Sequence, residues 1–109
     1  MWMVAPRLLC RQHLLGEHLE VHMLANALAA GKPLTGYVAH GLVELDKLNM
    51  RHDALAEEMT ARGYKHKTPL APIRKVPPNA GHVDVSKSIR DLRARCAECR
   101  KRIAGDKIK

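Results

Sequence analysis

At 109 residues the chain is sized for one domain, near the lower end of what folds unaided on a single core. With Trp2, Tyr37 and Tyr64 as its aromatic residues and no Phe, the core falls to Leu, Val, Ile, Met and Ala, which favours packed helices and an all-α fold. No apolar run approaches the ~20 residues of a membrane span, and Met1–Val4 is too short for a signal peptide before Arg7 and Arg11 interrupt it, so a soluble intracellular protein is expected. The net charge of +8 is uneven: residues 1–61 carry −2 and residues 62–109 carry +10. That asymmetry points to a polyanion bound by the C-terminal half, and to nucleic acid rather than membrane.

The first predicted helix follows Pro6 and covers about residues 7–30, with Leu8, Leu14, Leu15, Leu19, Met23, Leu24 and Leu28 as its apolar residues. Gly31-Lys32-Pro33 ends it, since Gly takes the left-handed cap and Pro cannot continue the helix. Thr35-Gly36-Tyr37 reads as a turn. A second helix is predicted over about 41–62, where Leu42, Leu45, Leu48, Leu55 and Met59 recur at helical intervals and Gly63 supplies the cap. Within it Arg51-His52-Asp53 reads as a charged surface stretch. Residues 64–81 differ in kind, because Pro69, Pro72, Pro77 and Pro78 forbid a helix interior and a central strand. With Lys65, His66, Lys67, Arg74 and Lys75 this long loop is suited to a phosphate backbone or is a plain connector. A third helix is expected over about 84–103, capped by Asp84 or Ser86, with Ile89, Leu92, Cys96, Cys99 and Ile103 as its buried stripe. The expected architecture is a compact, single-domain three-helix fold with a long Pro/Lys-rich loop between helices 2 and 3.

Chemistry concentrates in the first helix. At about 100° per residue, His13, Glu17 and Glu20 fall within about 60° of one another, so two carboxylates and an imidazole share a face, while His18 and His22 fall nearly opposite. One of two adjacent carboxylates can be forced to hold its proton, which makes the pair a candidate active site. An i,i+4 His pair can bind a metal, but His18 and His22 lack the Glu placement of the zinc-protease helix, and a surface or hydrogen-bonding role is favoured. Cys96-Ala97-Glu98-Cys99 has the spacing of a metal knuckle or redox pair. Cys10 and His13 repeat the two-residue gap, so Cys10, His13, Cys96 and Cys99 form a four-ligand zinc site if the chain ends meet. In-helix Cys pairs are more often small buried residues, so no metal is assigned. No nucleophile elbow, Gly-rich phosphate loop or recognition helix is present.

Gln12-His13-Leu14-Leu15-Gly16-Glu17-His18-Leu19-Glu20, with Arg51-His52-Asp53-Ala54-Leu55-Ala56-Glu57-Glu58-Met59 and Arg62-Gly63-Tyr64-Lys65-His66-Lys67, resembles the pyrimidine-dimer DNA glycosylase family of the phage and bacterial endonuclease V type. The resemblance spans about residues 2–68, with a further likeness over Arg95–Arg102. It implies a monomeric bundle of three helices that works in the cytoplasm of a bacterial or phage-infected host on double-stranded DNA with damaged pyrimidines and needs no cofactor. The implied activity is a glycosylase with an associated AP lyase, in which the chain's α-amine attacks the sugar C1′ to form a Schiff base. A terminal amine suits this, being a weaker base than a lysine amine.

The family's catalytic glutamate maps onto Glu20. Met1 supplies the amine, since Trp2 is too large for the initiator Met to be trimmed. His13 and Gln12 match neighbouring positions, Glu17, His18 and His22 support the pocket, and Arg11, Gln12, Lys65, Lys67 and Arg74 hold DNA. Arginines that clamp DNA in relatives are replaced here by Leu19 and Met23. Short relatives begin with a Met-Arg dipeptide before the Met-Trp-Met-Val stretch, which predicts an amine two residues, about 6–7 Å of extended chain, short of Glu20. A non-catalytic DNA-binding remnant and a zinc-stapled helical interaction module are the competing readings.

Overall fold

The computed structural model describes residues 1–66, 68–73 and 75–106. It is all-helical among these residues, but it has five helices where three are predicted: α1 (Arg11–Ala29), α2 (Thr35–Ala39), α3 (Leu48–Ala61), α4 (Val85–Arg95) and α5 (Ala97–Gly105), with single 3-10 turns at Pro6–Leu8 and Leu45–Lys47. Each departure has a local cause. Cys10 is extended and its sulfur accepts the His13 N–H, so α1 begins at Arg11 and not at residue 7. The Thr35 region winds into the short helix α2 instead of a turn, and Gly41 reverses the chain at φ +66°, which delays the second long helix to Leu48. Cys96 sits at φ −128°, ψ 111° and breaks the third predicted helix into α4 and α5.

The helix ends follow the sequence more closely. Gly31 and Gly63 adopt positive φ after α1 and α3. Beyond Gly63 the Tyr64 N–H returns to the Met59 carbonyl and closes the last turn. Asp84 is the residue that caps α4, its carboxylate accepting the Lys87 N–H.

α1 packs on α3, and α5 packs on both α4 and the Pro6–Leu8 turn. The shared core is built from Val4, Leu9, Leu14, Val21, Leu48 and Leu55, joined by Leu92 and Cys99 from the C-terminal pair. Arg51 and His52 are buried, not a surface stretch. They stand between Leu48 and Leu55 on the face of α3 that meets α1, so the helical interval outweighs their polarity.

Among the described residues the 64–84 segment has no helix or strand, yet it is anchored. Leu70, Ile73 and Ala80 pack against the core, and the Ala80 carbonyl accepts the Leu45 N–H at 2.8 Å. Gly81 is required at the crossing, because at φ +90° a Cβ there would collide with the Val43 carbonyl oxygen.

Buried Glu44 completes this anchor by accepting the Val83 N–H at 2.9 Å, with the Lys47 ammonium at 3.1 Å. Burial alone would raise its carboxyl, but the Val83 N–H and Lys47 hold it below the ordinary value of 4.5. A depressed carboxyl stabilises the fold above the unfolded value and loses that contribution as pH falls through the folded one. Denaturation midpoints of the wild type and Glu44→Gln, scanned downward from neutral pH, are therefore expected to differ above about pH 4.5 and to converge below it. A constant gap across the scan would show that the Glu44 charge contributes nothing.

Candidate active site and metal centres

The Met1 amine lies 2.6 Å from Glu20 Oε1 and donates to the Leu42 carbonyl at 2.7 Å. The expected two-residue shortfall is not seen. The chain does not approach α1 as an extended strand: Met3 turns it at φ +60°, and Val4 is buried one residue later. The Glu44 N–H points to Met1 Sδ at 3.5 Å, and the Trp2 ring meets His13 edge-on with centroids 5.7 Å apart. The amine is thereby held on the main chain before Gly41–Leu45, while the Glu20 side chain remains 38% exposed. An exposed carboxylate beside a fixed primary amine can exchange protons with it and stabilise positive charge that develops there.

Glu17 does not share this site. Its side chain is fully buried, and its two oxygens accept from Arg51 Nε at 2.6 Å and Nη2 at 2.8 Å. The third donor of the same guanidinium, Nη1, reaches the Val4 carbonyl at 2.6 Å. The two glutamates predicted to share a face thus diverge, one into a bidentate ion pair and one toward the amine. Arg51 went unrecognised as a site residue because a charged triplet reads as surface. Its place in the Leu48–Leu55 interval was the available signal. Arg62 does similar work at the other end of α3, donating to the Leu9 carbonyl at 2.7 Å and pairing with Glu58 at 2.8 Å.

The chain ends do meet. Cys10, His13, Cys96 and Cys99 place one ligand atom each within 4.8 Å of one another. His13 Nδ1 lies 3.2 Å from Cys10 Sγ and 3.5 Å from Cys99 Sγ, and the Cys10 and Cys96 sulfurs are 3.9 Å apart. Zinc bond lengths imply tetrahedral edges of about 3.6 Å for N···S and about 3.8 Å for S···S, so the donor set fits that ion. Each half is a knuckle at a helix start: the His13 N–H points to Cys10 Sγ at 3.4 Å, and the Cys99 N–H to Cys96 Sγ at 3.4 Å. The Cys99 N–H, opposed by burial, holds the Cys96 thiol below its ordinary range, while burial pushes Cys99 up to about 12. His13, expected beside Glu20 as a catalytic imidazole, instead turns its Nδ1 to these thiols.

His18 and His22, expected as pocket support, join His52 and His66 in a second group whose ligand atoms lie within 4.8 Å of one another. Burial first, then the neighbouring His22, His66 and His52, lower the His18 imidazole to about 4.

The sequence profile of the pyrimidine dimer DNA glycosylase family matches residues 1–72. The chain belongs to that family. Comparison with the curated proteins and with the solved structures finds no match. The match of this pyrimidine dimer DNA glycosylase family member takes in the amine, Glu20, the Arg51–Glu17 pair and all four clustered histidines, and leaves α4 and α5 outside it.

Of the residues expected to hold DNA, Arg11, Gln12 and Lys65 are exposed, and the Arg11 guanidinium carbon stacks 4.7 Å from the Tyr64 ring centre. Arg11 and Gln12 line a cleft with Arg62, Lys101 and Arg102, so α5 adds cations to that side. Lys67 and Arg74 lie outside the described residues. Leu19 and Met23, expected from the resemblance to replace DNA-clamping arginines, are exposed apolar side chains. No described helix is long and apolar enough to cross a membrane.

Proposed function

We propose that this protein is a DNA repair glycosylase with AP-lyase activity, acting on damaged pyrimidines, pyrimidine dimers above all, in duplex DNA. The observation that supports it most is the 2.6 Å approach of the Met1 amine to Glu20 in a chain of this family. The unprotonated amine attacks C1′ of the damaged nucleotide, and the glycosidic bond breaks with its electron pair leaving on the base. Proton loss from nitrogen and opening of the sugar ring give the imine. Glu20 stabilises the cationic sugar and carries protons to and from these atoms. Removal of a C2′ proton then expels the 3′ phosphate and nicks the strand, and water hydrolyses the imine to free the amine. Arg11, Gln12, Lys65, Lys67 and Arg74 hold phosphates, which gives position without sequence preference. The distorted lesion site lets the amine reach the sugar.

Borohydride reduction in the presence of abasic-site duplex tests this. A covalent complex is expected, with the sugar remnant on the Met1 nitrogen by mass spectrometry, and residues appended before Met1 are expected to abolish it. Salt-sensitive DNA binding with no adduct and no strand cleavage would leave a non-catalytic DNA-binding member of the fold.

A second reading, compatible with the first, is favoured by the tetrahedral spacing around Cys10, His13, Cys96 and Cys99. It is a structural zinc site that staples α5 to the start of α1. Cobalt substitution is expected to give a near-ultraviolet thiolate-to-metal transition. The double substitution Cys96→Ser and Cys99→Ser is expected to remove that transition and lower the melting temperature. Purified protein that binds no thiol-ligated metal, with a melting temperature indifferent to chelator, would remove the staple.

A further inference from the structure

The predicted His18–His22 pair is completed by two residues that its spacing could not supply. His52 arrives from the middle of α3, and His66 from the segment beyond Gly63. Ring centroids stand 4.6 Å apart for His18 and His22, 4.6 Å for His18 and His66, and 4.9 Å for His52 with both His22 and His66. All four Nε2 atoms are buried and have no hydrogen-bond partner. Among the described residues they are the buried side-chain nitrogen and oxygen atoms in that condition. A buried polar atom left unsatisfied is destabilising, so four converging on one point need a common partner.

We propose that His18, His22, His52 and His66 bind one divalent late first-row transition ion of the zinc class, which fastens the start of the basic Pro-rich segment to α1 and α3. A tetrahedral zinc site with imidazole ligands has N···N edges of about 3.3 Å. The spread of up to 4.8 Å closes to that with shifts of under about 1 Å per ring, within the reach of small side-chain rotations. Imidazole donors select zinc, copper, nickel or iron over calcium and magnesium, which require oxygen. Four buried nitrogens leave no open position, so the site is structural, not catalytic. The shell beyond the ligands supports the assignment: His52 Nδ1 lies 3.1 Å from Asp53 Oδ1, the hydrogen bond that fixes the tautomer leaving Nε2 free to face an ion.

The placement gives the ion a further role. At about 100° per residue, Gln12, Gly16, Leu19 and Met23 form the outward ridge of α1, with Glu20 on one flank and His18 and His22 on the other. An ion on the second flank fixes His66, and with it the backbone of the neighbouring Lys65, on the side of α1 away from Glu20. This role, unlike the metal site itself, rests on the proposed DNA-directed activity.

Metal is stripped from the full chain with a chelator, and Co²⁺ and then Zn²⁺ are titrated back. One equivalent without a thiolate-to-cobalt transition is expected, beside any equivalent held by the thiols. His66→Ala, a substitution outside every helix, is expected to lose that equivalent alone, with helical content unchanged by circular dichroism. Asp53→Asn leaves all four ligands in place and is expected to weaken it by about 10–100-fold. A wild-type chain without such an equivalent overturns the site, as do His66→Ala and His22→Ala chains that retain it at wild-type affinity. Metal content is read without DNA, so a failed borohydride trap leaves this result standing, and a failed titration leaves the lyase chemistry standing.

Discussion

Glu20→Gln is expected to slow strand scission at an abasic site by about 10²–10⁴-fold, the usual range for losing a general acid–base group, with little change in stability. The stability side follows from exposure. The Glu20 side chain is 38% exposed, and a solvated ion pair of that kind contributes at most about 1 kcal/mol. Gln keeps the shape and still accepts a hydrogen bond from the amine, but it cannot take its proton. Affinity for abasic duplex is expected to hold or rise, since a negative charge facing phosphates is removed. Single-turnover cleavage, a gel-shift titration and a melting curve on the same preparation separate these effects. Cleavage at the wild-type rate would remove Glu20 from the chemistry, and a large loss of melting temperature would make its role structural.

Arg51→Met is expected to cost about 3–5 kcal/mol of folding stability, the penalty for leaving one partner of a buried pair uncompensated. The partner is the fully buried Glu17 carboxylate, and the Val4 carbonyl loses its 2.6 Å donor as well. Arg51→Lys does not repair this, because an ammonium cannot present the planar fork that meets two carboxylate oxygens and a carbonyl together. Replacing both members, Glu17→Leu with Arg51→Met, is expected to recover most of the stability, since apolar pairs of similar volume commonly match buried ion pairs.

Activity is expected not to follow. Val4 remains without its anchor in the double variant, and the three residues before it carry the amine. Arg51 is therefore expected to act as a positioning residue. Its signature is a double variant with near-native denaturation midpoint and a reduced rate of borohydride trapping. Full recovery of trapping along with stability would make the Arg51–Val4 contact irrelevant to the amine.

Physical properties carried by single residues were legible in the chain itself. The scarcity of aromatics and the leucine intervals predicted helices, and helices are what form. Gly31, Gly63 and Asp84 marked helix boundaries correctly, because positive φ and an N-cap carboxylate are local requirements that no distant contact has to supply. The membership in the family was likewise visible in the Gln12–Glu20 and Arg62–Lys67 stretches.

What depended on two distant segments meeting was not legible. Cys10-x-x-His13 and Cys96-x-x-Cys99 each showed half a tetrahedron, and only the docking of α5 on the Pro6–Leu8 turn brings the halves together. The same docking breaks the predicted third helix, since Cys96 must leave helical geometry to cap α5. Arg51 and His52 looked like surface because charge was weighed above position on the helix. Their burial follows from α1 presenting Glu17 opposite one and His18 and His22 opposite the other. The sequence by itself determined the helical class, several helix ends, the basic C-terminal half and the family. Tertiary structure alone decided where the amine lies and how the four histidines gather, because both are set by long-range packing that leaves no period or spacing in the chain.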